Sequence, residues 1–240
     1  SVRLLFHQLL RMKKLFLNLL TIICLIIIAI SGFKIYTTLR DYKKADNVYS
    51  QLKETKEDSK NMSDATNNLS SINSDYKFWI NVQGTNIEYP VVQGSDNDFY
   101  LNHDFNKNYL PAGSIFLDYR NDFQKDFNSV IYGHHMRNST MFGQMEKFKD
   151  ENFFKENKFI TLTTENEVYE YEIFAIGVYD ADFGYNKVSF TDKNDFNNFL
   201  NKILTKSMYS RNIVSENDKI ITLSTCSYEY DNARIAIFAV

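Results

Sequence analysis

ITLSTCSYEYDNARIAIF, residues 221–238, holds two apolar runs rich in β-branched residues, joined by small and polar ones. The first run, with Lys219 before it, predicts a strand over Lys219–Ser224, which delivers Cys226 at its C-terminal edge. The second predicts a strand over Arg234–Val240, whose opening residue is a lone cation on an otherwise apolar stretch. The connection is long enough for a hairpin, and pairing the two strands brings Cys226 close to Arg234.

Working upstream, the pattern stays β-like. Phe78–Val82 reads as a strand, followed by a Gly84-Thr85-Asn86 turn and a further strand through Ile87–Val92. Gly113–Leu117 and Ser129–Tyr132 give two more strands, and Phe159–Thr163 with Glu167–Val178 forms a hairpin across Thr164-Glu165-Asn166. One helix interrupts this order. Phe196, Phe199, Leu200, Ile203, Leu204 and Met208 share one apolar face, and Thr191 or Asp192 can cap its start. Strands do not alternate with helices, which favours a mainly β domain, a closed barrel with added helices, over a parallel α/β fold.

The N-terminal part is of another kind. Leu15–Phe33 is apolar apart from Asn18 and small hydroxyls. At roughly 1.5 Å per residue its helix is about 28 Å long, which matches a hydrocarbon core of about 30 Å. Arg3, Arg11, Lys13 and Lys14 precede it with no acid, while the charges after it are mixed, so the N-terminal side is expected in the cytoplasm. A cleaved signal peptide is the competing reading, with Ala29-Ile30-Ser31 as a small-x-small site. Met12-Lys13-Lys14 reads like a translation start. Leu39, Tyr42, Ala45, Val48, Tyr49 and Leu52 follow at helical spacing, and the polar stretch Lys53–Asp75 reads as a spacer or a weak second helix.

Of the 240 residues, 44% are hydrophobic and 15% aromatic, enough to build a core and to exclude disorder throughout. The net charge of −3 carries no basic excess, which argues against a nucleic-acid partner. The only cysteines are Cys24, inside the apolar run, and Cys226. With the first in a bilayer the two cannot pair, and Cys226 is a free thiol in an exported domain, either inert or working.

Besides the Cys226 and Arg234 segments, Ile131-Tyr132-Gly133-His134-His135-Met136 carries chemistry: a strand runs into glycine, where the backbone can turn sharply, and then into histidine. Taken singly, each residue has a plain structural reading. A lone cysteine is often a small buried hydrophobe. Arg234 reads as a strand-end cation and His134 as a solvated side chain. His134 and His135 as metal ligands would need carboxylates, and none has ligand spacing, so no metal is expected. The three together at strand edges make a cysteine–histidine–arginine site.

The sequence resembles a class B sortase. The likeness runs from about residue 74 to the end. It is carried by Phe78-Trp79-Ile80, Gly84–Gly94, Asp96–Leu101, Ala112–Arg120, Tyr132–Met136, Met141-Phe142-Gly143, Thr222–Cys226 and Arg234. It implies an eight-stranded sortase β-barrel with N-terminal helices and one helix between the sixth and seventh strands, a place that residues 191–209 fit. It also implies a membrane-anchored cysteine transpeptidase without a cofactor. Cys226 is then the nucleophile, His134 rather than His135 the proton partner, and Arg234 the charge-stabilising group, with Asn97, Leu101, Ser224 and Thr225 as substrate contacts.

The implied partners are exported proteins bearing a C-terminal sorting signal of the xPxT-G/N type, and a peptidoglycan amine or its lipid-linked precursor. Ser227-Tyr228-Glu229-Tyr230 departs from the acidic residue that follows the cysteine in some relatives. The expected organisation is a cytoplasmic segment over 1–14, a spanning anchor over 15–33, a helical and polar stalk over 34–75 and an extracytoplasmic catalytic domain over 76–240. The rival readings are a thiol hydrolase with water as acceptor and a non-enzymatic anchored binding domain. A papain-like order is excluded because His134 precedes Cys226.

Overall fold

A computed structural model describes residues 2–123 and 125–240, with side chains given for all of these except 2–5, 8 and 9. Ser1, which opens the expected cytoplasmic segment, and the side chain of Arg3 lie outside them. The chain divides into two compact units, 1–43 and 44–240. The first is helical throughout its described length, as part of α1 (Val2–Glu57). Its apolar side chains face outward on every side, Leu17, Ile22, Ile26 and Phe33 among them. A helix apolar all round needs an apolar medium. This is one N-terminal helix of the length and composition of a membrane anchor or a signal sequence.

The second unit is a barrel. Its strands are β1 (Tyr76–Val82), β2 (Glu88–Val92), β3 (Ile115–Leu117), β4 (Asn128–Tyr132), β5 (Phe159–Thr163), β6 (Val168–Asp180), β8 (Ile220–Cys226) and β9 (Ala233–Ala239). They are ordered β5-β1-β2-β3-β4-β8-β9-β6 and closed by pairing of β5 with β6. The two-residue β7 (Tyr209–Ser210) adds to the side of β6. The barrel is mixed: β2–β3 and β4–β8 are parallel, the other pairs antiparallel. Strand β6 has 13 residues because it serves two neighbours in succession, β5 through Val168–Glu172 and β9 from Ile173 onward.

The core is double. Inside the barrel, Ile80, Val91, Ile131, Leu223 and Ile237 pack with no solvent exposure. Outside it, α4 (Lys193–Lys206) lays Phe196, Phe199, Leu200 and Ile203 over Phe174 and Phe238. Asp192 caps α4 by accepting from the Asp195 amide at 2.8 Å. This helix lies between the sixth and seventh barrel strands, as the sequence predicts; Met208 falls just beyond its end.

The polar stretch 53–75 is more than a spacer. It contains α2 (Met62–Ile72), capped by Asn61, and its Leu69 is fully buried in the barrel core. Ala45, Tyr49 and Leu52 of α1 join the same core. Lys53 and Lys56 pair with Glu88 of β2 at 2.5 and 3.2 Å. The part of the expected stalk from residue 44 onward therefore folds with the barrel, because a few apolar positions at helical spacing find a buried surface there.

Candidate active site

Strands β4 and β8 run parallel in register, Tyr132 opposite Ser224, so both end at the same rim. The Gly133 amide donates to the Ser224 carbonyl at 3.2 Å and extends this pairing by one step. Beyond it the chain leaves the sheet carrying His134. On the other side of β8, Cys226 lies directly opposite Arg234 of β9. Three separate stretches of chain thus deliver sulfur, imidazole and guanidinium to one rim.

Gly133 has a different function from the one its sequence setting suggests. It does not adopt a positive φ. A Cβ placed there would meet Ile115 Cδ1 at 2.4 Å and the Phe142 ring at 2.8 Å, so glycine is needed for space, not for a turn.

A cavity of about 420 Å³ opens at this rim, bordered by Cys226, His134 and Arg234. Asn97, Leu101, Ser224 and Thr225 border the same cavity, so all seven residues singled out from sequence come together there. Cys226 is exposed, and His134 and Arg234 are half-buried. His134 Nε2 lies 2.5 Å from the Leu101 carbonyl oxygen. A carbonyl only accepts, so Nε2 carries hydrogen and Nδ1 is the nitrogen that can take up a proton. Arg234 Nη1 donates to the Ala233 carbonyl at 3.0 Å, and no carboxylate forms an ion pair with it among the described residues. Its remaining donors can serve an incoming oxyanion. Thr225 Oγ1 is buried and has no partner among the described residues. Such a hydroxyl costs about 1–3 kcal/mol until something bonds to it.

His135 takes a different place. Its Nδ1 bonds the Cys226 carbonyl at 2.8 Å, the Tyr228 hydroxyl donates back to the His135 carbonyl at 3.1 Å, and the two rings pack at 4.9 Å. Below it, Lys149 joins Glu146, Glu229 and Ser227, so the acid three residues after Cys226 is tied to a cation rather than turned to the cavity.

Sequence reading missed part of the cavity wall. Tyr185 shares a hydrogen bond with Ser224 at 2.8 Å, and Asn186 donates to the Tyr132 hydroxyl at 3.1 Å. Burial pushes the Tyr185 phenol up; Ser224 and the positive Arg234 oppose this, while Cys226 adds to it. Asp118, just after β3 and without solvent exposure, supports the wall from beneath. It accepts from the Arg120 backbone, Nε and Nη2, from Asn97 Nδ2 and from the Tyr132 hydroxyl. Burial alone would raise its pKa, but Arg120 and the other donors outweigh burial and hold it below the usual carboxylate value.

The chain matches the sortase domain over residues 80–240. It is 35% identical to sortase B of Listeria monocytogenes over 229 residues, 91% of this chain and 93% of that protein. The chain belongs to the sortase B family. It is similar to the crystal structure of Clostridium perfringens sortase B at 47% identity and a TM-score of 0.70, covering 72% of this chain and 97% of that one. With a Staphylococcus aureus sortase B–substrate complex it shares 30% identity and a TM-score of 0.75, over 84% of this chain and 97% of that one. The barrel is the sortase fold, and the enzyme is a cysteine transpeptidase.

Proposed function

We propose that this transpeptidase cleaves a C-terminal sorting signal of the xPxT-G/N type in exported proteins and joins the new carboxyl end to a peptidoglycan amine. The observation that carries the reading is the shared rim: Cys226 opposite Arg234, His134 one step beyond β4, one cavity between them. A free thiol is only a few per cent thiolate near neutral pH, so transfer of the Cys226 proton to His134 supplies the nucleophile. The thiolate attacks the threonine carbonyl carbon of the Thr-Gly or Thr-Asn bond, and Arg234 donates to the oxyanion. His134 returns the proton to the leaving amine as the C–N bond breaks and a thioester forms. An incoming amine gives up its proton to His134, displaces the thiolate and restores an amide, so one peptide bond is exchanged for another without ATP.

Leu101 supports the reading through its carbonyl, which fixes the histidine tautomer. Thr225 brings an unpaired hydroxyl to the substrate, and Asn97 and Ser224 are walls held in place by Asp118 and Tyr185. Residues 15–33 act as the anchor, with 1–14 in the cytoplasm and the chain from 34 onward outside. That topology holds the cavity where exported substrates and wall precursors pass.

The test mixes the chain with peptides ending in Thr-Gly or Thr-Asn bonds, with and without a peptidoglycan-type amine, and locates adducts by mass spectrometry. An acyl mass on Cys226 that amine discharges as an amide is the expected result. Discharge only to the free acid would make the enzyme a hydrolase, and an adduct elsewhere would remove Cys226 from the nucleophile's role.

A further inference from the structure

The C-terminal part of α1 reaches the His134 segment by two routes, both through Tyr49. This phenol is 8% exposed, although phenylalanine would fill the same space. Its hydroxyl donates to the Gly113 carbonyl at 2.5 Å and lies 3.2 Å from Ser114 Oγ. Gly113, at φ 58°, stands so close to Leu101 that an added Cβ would meet its carbonyl oxygen at 2.6 Å. That carbonyl is the partner of His134 Nε2.

The second route is aromatic. The Tyr49 ring meets Tyr89 of β2 edge-on, 5.3 Å between centroids. The Tyr89 hydroxyl accepts from the Met141 amide at 3.1 Å. Met141 sits at φ 51°, ψ −129°, a strained conformation for an L-residue that its surroundings must enforce. Met141 bridges to His135, and the next amide, Phe142, donates to the His134 carbonyl at 3.0 Å. One route thus ends on the imidazole ring of His134 and the other on its backbone.

We infer that Tyr49, acting with Tyr89, is a positioning residue for His134, so that the helix leading out of the N-terminal segment is part of the proton-transfer apparatus. The inference rests on His134 being the proton partner of Cys226. The burial that pushes the Tyr49 phenol far above its ordinary value keeps it a neutral donor throughout the working pH range.

The experiment uses the full chain in detergent and two substrates of the same sequence. One carries the scissile amide; the other carries an activated ester whose leaving group departs without a proton. In Tyr49→Phe, kcat for the amide is expected to fall about tenfold, a fraction of the 10²–10⁴ that a general acid supplies. KM should stay within about twofold, and the ester, which still needs His134 to take protons from Cys226 and the amine but not to protonate a leaving group, should lose clearly less than the amide. Tyr89→Phe, which keeps the ring contact and frees the Met141 amide, should give the same selective loss, and it decides the matter if Tyr49→Phe fails to fold. Equal losses on both substrates, or no loss on the amide, overturn the inference. His134→Ala is run alongside and should show the larger selective loss. Retained amide turnover in His134→Ala would instead remove the proposed role of that histidine, whatever the tyrosine variants do.

Discussion

Replacing Asp118 with asparagine separates the charge beneath the cavity from the shape of the side chain. Two donors, the Arg120 amide and Nε, meet Oδ1; three donors, Arg120 Nη2, Asn97 Nδ2 and the Tyr132 hydroxyl, meet Oδ2. An amide must turn its NH2 toward one set, and the smaller loss is the Oδ1 side. Two charge-assisted bonds then disappear, each contributing about 1.5–3 kcal/mol. The Arg120 side chain is 44% exposed, so water recovers part of that, leaving a cost of about 2–3 kcal/mol. At about 2–4 °C per kcal/mol for a domain of this size, the unfolding midpoint should drop about 5–10 °C at pH 7.

Trp79, the only tryptophan and 2% exposed, provides a fluorescence readout of that transition. The pH dependence fixes the cause. The folded-state pKa of Asp118 is depressed, so its contribution is complete above the ordinary carboxylate value of about 3.9 and is lost as pH falls through the folded value. The gap between the wild type and Asp118→Asn should therefore close in acid. Because Asn97 and Tyr132 border the cavity, KM for the peptide should rise as well. A midpoint shift under about 2 °C at pH 7, or a gap that persists undiminished near pH 2, would refute this account of the network.

Three further outcomes follow from the packing. His135→Ala removes the bond to the Cys226 carbonyl but no reacting group, so turnover should fall about tenfold in a steady-state assay; a loss as large as that of His134→Ala would reverse the assignment of the two histidines. Gly133→Ala drives a methyl group into Ile115 and Phe142, and urea unfolding should show a loss of about 1–3 kcal/mol. Leu69→Ala leaves a cavity where α2 meets the barrel and should cost about 2–5 kcal/mol by the same measurement, whereas a residue in a mere spacer would cost nothing.

The strands were legible where apolar, β-branched runs ended at turn residues. That signal located β8, β9 and the β5–β6 hairpin, and an apolar face at helical spacing located α4, with Thr191 or Asp192 as its cap. The meeting of Cys226 with Arg234 followed from a hairpin, which is local. The parallel pairs β2–β3 and β4–β8 were not legible, because no short-range pattern encodes which distant strand lies alongside. The 3-10 helix Phe142–Lys149 and the six-residue α3 (Glu151–Glu156) are too short for a periodic stripe. The stretch that holds α2 was legible only as a spacer or a weak second helix, because a single buried leucine in a polar background gives no period. Tyr185 and Asn186 escaped because they stand in the loop between β6 and α4, where cavity-facing and solvent-facing residues have the same composition. The buried ladder from Asp118 to Tyr132 links residues far apart in sequence, and only folding shows it.

The parallel pairing of β4 with β8 also bears on how such an enzyme can diversify. Two parallel neighbours cannot be joined by a tight turn, so everything from Gly133 to Lys219 is an excursion that leaves the rim and returns to it. His134, β5 and β6 within that excursion are fixed by the site and the barrel, but the segments between them, α4 and the loop carrying Tyr185 among them, can lengthen, shrink or be exchanged while the two strand ends stay side by side. Recognition can drift in the inserted segments while the reacting atoms keep their spacing, which separates what the enzyme selects from what it does.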